Sequence, residues 1–190
     1  MIAPLVRPLL IAGLLAGCAG ETAIKPAEML DERTGVTVGA LKEPMEFIES
    51  SPNAVPGGSN RTSFAYLGPV EWDRSGDLSY GLWVHVAPGT DAPVGDLHVE
   101  GAVTLMLDDG PVVLSRMDPP AGGGPYRPVA SWGQTAYLDL DVALLKRMAA
   151  SGMLTLRFRG VGAAAVDFTP THETRATLLN YLRARGITDG

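Results

Sequence analysis

Leu78-Ser79-Tyr80-Gly81-Leu82-Trp83-Val84-His85-Val86 decides the fold class of this chain. Successive side chains of a β-strand point to opposite sides, so Leu78, Tyr80, Leu82, Val84 and Val86 share one face and Ser79, Gly81, Trp83 and His85 the other. Such alternation implies a half-buried antiparallel strand, with one face on a core and one toward water. The pattern recurs on both sides. Downstream, Leu97, Val99, Val103, Leu105 and Leu107 alternate with His98, Glu100, Thr104 and Met106. Upstream, Phe64, Tyr66, Val70 and Trp72 fit the inner face of a strand that turns back at Asp73-Arg74-Ser75-Gly76-Asp77.

Working outward, Asp108-Asp109-Gly110-Pro111 supplies the backbone angles of a tight hairpin into a strand over 112–117. Toward the N-terminus, short strands are expected over 34–38 and 45–48, then a Pro/Gly/Asn-rich loop over 50–61. Residues 118–131, with Pro119-Pro120 and Gly122-Gly123-Gly124, form a long surface loop. No lysine lies near that glycine triplet, and it does not lead from a strand into a helix, so a phosphate cradle is not supported. A strand over 135–140 precedes a helix over 142–151 that Asp141 caps, Gly152 stops, and Leu144, Leu145 and Met148 make one-sided. Leu154, Leu156 and Phe158, then Ala164, Val166 and Phe168, resume the alternation. Thr169-Pro170 has the form of a cap and first turn for a last helix ending at Gly186, with Leu178, Leu179 and Leu182 as its apolar stripe. The expected fold is mainly β, an antiparallel β-sandwich-like domain with two short helices, one a crossover and one C-terminal.

Ahead of this domain, Arg7 and the apolar run Leu9-Leu10-Ile11-Ala12-Gly13-Leu14 lead to Leu15-Ala16-Gly17-Cys18. The apolar run is about half the roughly 20 residues a transmembrane helix needs. Leu15-Ala16-Gly17-Cys18 resembles the lipobox of bacterial lipoprotein precursors. That resemblance implies a signal peptide over 1–17, diacylglycerol on the Cys18 thiol and cleavage just before it. Two or three acyl chains, at about 0.8 kcal/mol per buried methylene, hold a protein stably on a membrane. Ala19 and Gly20 follow the cysteine, in place of the aspartate of inner-membrane retention, which implies the outer membrane facing the periplasm. Residues 18–33 then read as the lipidated N-terminus and a polar tether, and 34–190 as a single β-rich domain. The run 31–38 followed by a meander of strands is similar to bacterial lipoproteins of no assigned activity, and carries over no catalytic residue.

Composition narrows the partners. The 15 basic and 21 acidic side chains give a net charge of −6. Loss of residues 1–17 removes Arg7 and no acid, making the mature chain one unit more negative. This balance does not support nucleic-acid binding. Cys18 is the sole cysteine, so with lipid on its sulfur no disulfide, thiolate nucleophile or cysteine metal site remains.

One constellation has the elements of a metal site. If the strands over 78–86 and 97–107 form a hairpin with both apolar faces inward, one register sets His85 opposite His98 and Trp83 opposite Glu100. Opposed β-carbons lie about 4.5–5.5 Å apart, close enough for two imidazoles to share a divalent metal, with Glu100 a diagonal neighbour of His85. A shifted register instead sets His85 opposite Glu100. Solvent-facing histidines on a sheet more often only hydrate or pack against a neighbour. His172 and Glu173 are adjacent on a helix and do not face each other, and Ser115, Ser131 and Ser151 lack a Gly-x-Ser-x-Gly elbow. Two functions follow. The first is a membrane-anchored envelope lipoprotein, a non-enzymatic binding or assembly module with a protein partner and no cofactor. The alternative is a small metal-binding protein or metal-dependent hydrolase using His85, His98 and Glu100.

Overall fold

The computed structural model describes residues 23–50, 62–89, 96, 98, 101–120, 124–159 and 165–187. Among these, eleven strands and two helices follow in the order β1 (Pro26–Asp31), β2 (Val36–Leu41), β3 (Met45–Glu49), β4 (Phe64–Arg74), β5 (Asp77–Ala87), β6 (Val103–Leu107), β7 (Gly110–Val113), β8 (Arg116–Met117), β9 (Gln134–Asp139), α1 (Val142–Ala150), β10 (Thr155–Arg159), β11 (Ala165–Pro170) and α2 (Thr174–Ala184). The mainly antiparallel β class with a crossover helix and a C-terminal helix is what the alternation implies. Its layering comes from one continuous, curled sheet, ordered β7-β6-β10-β11-β3-β4-β5-β9-β8, with β1 and β2 attached through β4. Helix α1 connects β9 to β10 across most of that width.

The deciding stretch pairs backward along the chain. Strand β5 and strand β4 form an 11-residue ribbon joined through Ser75 and Gly76, both at positive φ, the geometry that matches strand twist. The expected hairpin of 78–86 with 97–107 is not formed. Strand β5 has β4 on one edge and β9 on the other, while β6 lies between β10 and β7. Alternation identifies a strand's faces but is silent about its neighbours, and two strands already occupy the hydrogen-bonding edges of β5.

The two faces of β4–β5 are both covered. Paired residues share a face in an antiparallel ladder, so Leu67 lies with Val84, and Tyr66 with His85. Along β5 every residue from Gly81 to Val86 is buried. Phe64, Tyr66, Val70 and Trp72 therefore lie opposite the Leu82 and Val84 face, not on it.

The Leu82 face carries Leu67, Met45, Phe47, Leu138 and Phe168 and lies under the helices. Asp141 accepts from the Leu144 N–H at 2.6 Å and starts α1 where the sequence places it. Leu144, Leu145, Met148 and Ala149 are buried. Helix α2 starts later than Thr169-Pro170. Those residues extend β11, Pro170 pairs with Phe47 at the strand end, and Glu173 becomes the cap by accepting from Arg175 N and Ala176 N. A proline at a strand end leaves no ladder bond unmade. Tyr181 joins Leu178 and Leu182 in the core and its hydroxyl donates to Gly39 O, while Leu179 faces outward.

Sheet pairing begins before residue 33, the expected end of the tether. Strand β1 pairs with β2 from Pro26 to Asp31, the Lys25 carbonyl accepts from Lys42 N, and Ile24 N–H donates to Thr177 Oγ1. Arg185 ties α2 to this corner, with Nη1 3.7 Å from both Glu28 and Glu71. Main-chain pairing with β2 does not need an apolar pattern, so a polar segment can enter a sheet edge unannounced.

Candidate functional site

The face of β4–β5–β9 that carries Tyr66, Gly68, Trp83, His85, Thr135 and Tyr137 was expected to meet water on the β5 strand. Here Trp83 is 1% and His85 0% exposed. Their cover is the chain from Gly124 to Gly133, which overlaps the expected surface loop over 118–131 and runs two residues past it.

Two polar side chains pin this loop. Tyr126 sits over Gly68, its ring centroid 5.1 Å from that of Trp83. Its hydroxyl accepts from Leu41 N at 2.9 Å and donates to Pro69 O at 3.4 Å. The place is special, because β4 changes partner there. Strand β3 pairs along residues 64–67 and β2 along 70–73, so backbone groups near Pro69 lose their ladder. A buried amide without an acceptor costs about 1–3 kcal/mol, and the phenol supplies one. Burial pushes the Tyr126 hydroxyl pKa far up, keeping it protonated as donor and acceptor. Replacing Tyr126 by Phe keeps the ring and strands the Leu41 N–H. Urea unfolding should show a loss of about 1–3 kcal/mol with an unchanged m-value.

His85 is the second pin. Its Nδ1 lies 2.9 Å from Thr135 Oγ1, and its Nε2 accepts from Ala130 N–H at 3.3 Å. Acceptance at Nε2 assigns the proton to Nδ1, which donates to the threonine. The ring stacks on Trp83 at 5.7 Å and 18°. Burial holds its pKa below the ordinary histidine value, against the smaller opposing effect of hydrogen bonding to the Gln134 backbone. Both nitrogens of a neutral imidazole are thus engaged within the protein. No family model, curated protein or solved structure matches this chain.

The proposed metal constellation depends on a strand pairing that is not formed. Across the ladder His85 faces Tyr66 and Thr135. His98 is exposed, and its backbone N–H donates to Asp96. Glu100, Asp91 and Cys18 lie outside the described residues. Among the described residues no three of His, Cys, Asp and Glu converge to hold a metal. Ser151 lies between Asp108 N and Met153 O at the end of α1, and Glu173 caps α2, so each has a structural partner.

Between and beyond the pins the loop faces outward. Arg127, Pro128 and Val129 are exposed, and Trp132 is 71% exposed one residue before Gly133, which is packed against the His85 ring. Tryptophan and arginine are the side chains most often found as anchors of protein interfaces. The sequence reading passed over Trp132 and Tyr126. Trp132, directly after that Pro/Gly-rich segment, was the available signal, because tryptophan is enriched among interface anchors.

Proposed function

We propose that this chain is a lipid-anchored module of the bacterial cell envelope that binds a protein partner through the loop carrying Val129 and Trp132. The single observation that carries the binding role is an exposed indole on a loop held by two buried polar side chains, Tyr126 and His85. Such a loop is already ordered before a partner arrives, so contact costs little conformational entropy. The anchor rests on Leu15-Ala16-Gly17-Cys18. No helix among the described residues is long and apolar enough to cross a membrane.

The two halves have separate tests. Labelled palmitate should enter the protein, and Cys18→Ser should release it from the membrane fraction. Failure of either removes the anchor. A photo-crosslinking residue placed at Trp132 in the intact protein should give one adduct of defined mass in the envelope, absent with the same residue at exposed Val113 of β7. Equal adducts at both positions would remove the binding role.

A further inference from the structure

We propose that β1 is a strap that lifts off the domain ahead of the rest of the fold, and that Arg185 is the latch that sets how often it does. Strand β1 buries no side chain, whereas every other strand of five residues or more buries at least one. It pairs with β2 alone, and Met29 and Leu30 are exposed on it. Elements with few buried apolar contacts and exposed backbone hydrogen bonds open first. Apart from its ladder, the strap is held by half-buried Ile24, whose N–H donates to Thr177 Oγ1 at 3.3 Å, and by Arg185.

The Arg185 side chain reaches back from the end of α2 and is 9% exposed. Glu28, Gly39 and Glu71 stand in one row across β1, β2 and β4, and the guanidinium lies over the glycine. Nη1 is 3.7 Å from each carboxylate, and Nη2 donates to Ala27 O at 3.4 Å. Nε is buried with no hydrogen-bond partner among the described residues. Arg157 and Asp167, by contrast, fasten β10 to β11 through two bonds of 2.7 and 2.8 Å. Arg185 therefore holds β1 by charge across a gap and one long hydrogen bond, which seats the strand without the grip of a bidentate pair. Opening starts at the Ile24 end, because Asp31 holds the other: its carboxylate accepts from Arg33 N and Thr34 Oγ1. What this does for the anchored protein rests on the lipid-anchor reading. With the strap seated, Cys18 and Ile24 are six residues apart, a reach of at most about 20 Å. With it lifted, the first held residue is Val36, eighteen residues from Cys18, and the reach is about 60 Å. The strap is then a reserve of tether that carries the Trp132 loop farther from the bilayer.

The ladder supplies the test. The Lys42 N–H donates to Lys25 O, so alternation along β2 turns the N–H groups of Val38 and Ala40 toward β1 and those of Thr37 and Gly39 toward β4. Residue-resolved hydrogen exchange in the full lipidated protein should find Ala27, Met29, Val38 and Ala40 about tenfold or more less protected than Thr37 and Val84. Arg185→Met should speed the first four about another tenfold, the effect of losing one charge-assisted contact, and leave Thr37 and Val84 unchanged. Glu71 keeps its hydrogen bond from Tyr80 in that variant. Gly39→Ala retains every charge, but its methyl would sit 2.5 Å from Nη1 and push the flexible guanidinium aside, so it should act in the same direction. Val38 and Ala40 as well protected as Thr37 would overturn the strap. Equal acceleration of Thr37 and Val84 in both variants overturns the latch and assigns Arg185 to the stability of the whole domain. Exchange does not involve the lipid, so failure to incorporate palmitate removes the anchor and the longer reach and leaves the strap standing.

Discussion

Gly68→Ala should cost this domain about 2–4 kcal/mol, toward the upper end of what overpacking a core extracts. The added methyl would meet the Tyr126 ring at 2.3 Å from Cε2 and 2.5 Å from Cζ. An exposed or flexible neighbour would swing away. This ring cannot, because it is buried, packed on Trp83, and fixed by its hydroxyl between Leu41 N and Pro69 O. Relief requires either a shift of the β4 backbone, which pairs with β5 at Gly68 and with β3 up to Leu67, or withdrawal of the ring. Withdrawal would strand the Leu41 N–H and uncover Trp83. The cause can be separated from any intrinsic effect of alanine by a double-mutant cycle. In a Tyr126→Ala background the same Gly68→Ala change should cost within about 0.5 kcal/mol, since the clash is gone. A cost that persists without the ring would place the penalty in the strand itself.

Much of the β content was legible because side chains alternate between the two faces of a strand, and residues 64–72, 78–86 and 135–140 carry apolar side chains at every second position. Local chemistry also announced itself where it acts within a few residues. Asp141 caps α1, and Ser75-Gly76 turns the central ribbon. Long-range choices were not legible. Nothing in residues 78–86 says that β9, from 50 residues away, takes the free edge that β6 was expected to take. Nor does alternation reveal a second cover. Ser79, Gly81, Trp83 and His85 look like a solvent face because serine, glycine and histidine are polar or small. The structure buries Trp83 and His85 under a loop and Gly81 against Met117 and Trp72, and gives the histidine one partner, the Ala130 N–H, from that loop and the other, Thr135, from β9. Thr169-Pro170 has the form of a helix start, but ladder bonds to β3 outweighed it. The lipobox reading stands apart, since its residues lie outside the described ones and its test is chemical.

The same burial makes His85 the source of a pH dependence with a definite sign. Inside the fold the imidazolium loses its hydration, so the folded pKa lies below the ordinary value of 6.5. As pH falls past that value, the unfolded chain binds a proton that the folded chain does not. Stability is therefore full above about pH 6.5 and declines below it by up to about 1.4 kcal/mol per pH unit, until the folded pKa is reached. Asp31, Asp109 and Asp167, whose pKa values are lowered from 3.8 by their hydrogen-bonding partners, act with the same sign but only in more acidic solution. Urea midpoints from pH 7.5 to 5 should fall for the natural chain and stay nearly level for His85→Gln, whose amide oxygen can still accept from Ala130 N–H. A slope retained in His85→Gln would assign the acid sensitivity elsewhere. His85→Ala removes both the ring and that acceptor, leaving a cavity beside Trp83 and a stranded amide, for an expected loss of about 3–4 kcal/mol at pH 7.5. If the histidine serves to hold the loop, hydrogen exchange at Ala130 should speed up in His85→Ala far more than in His85→Gln. Trp132 fluorescence should then report a loop that has lost its fixed position while the strands beneath it remain.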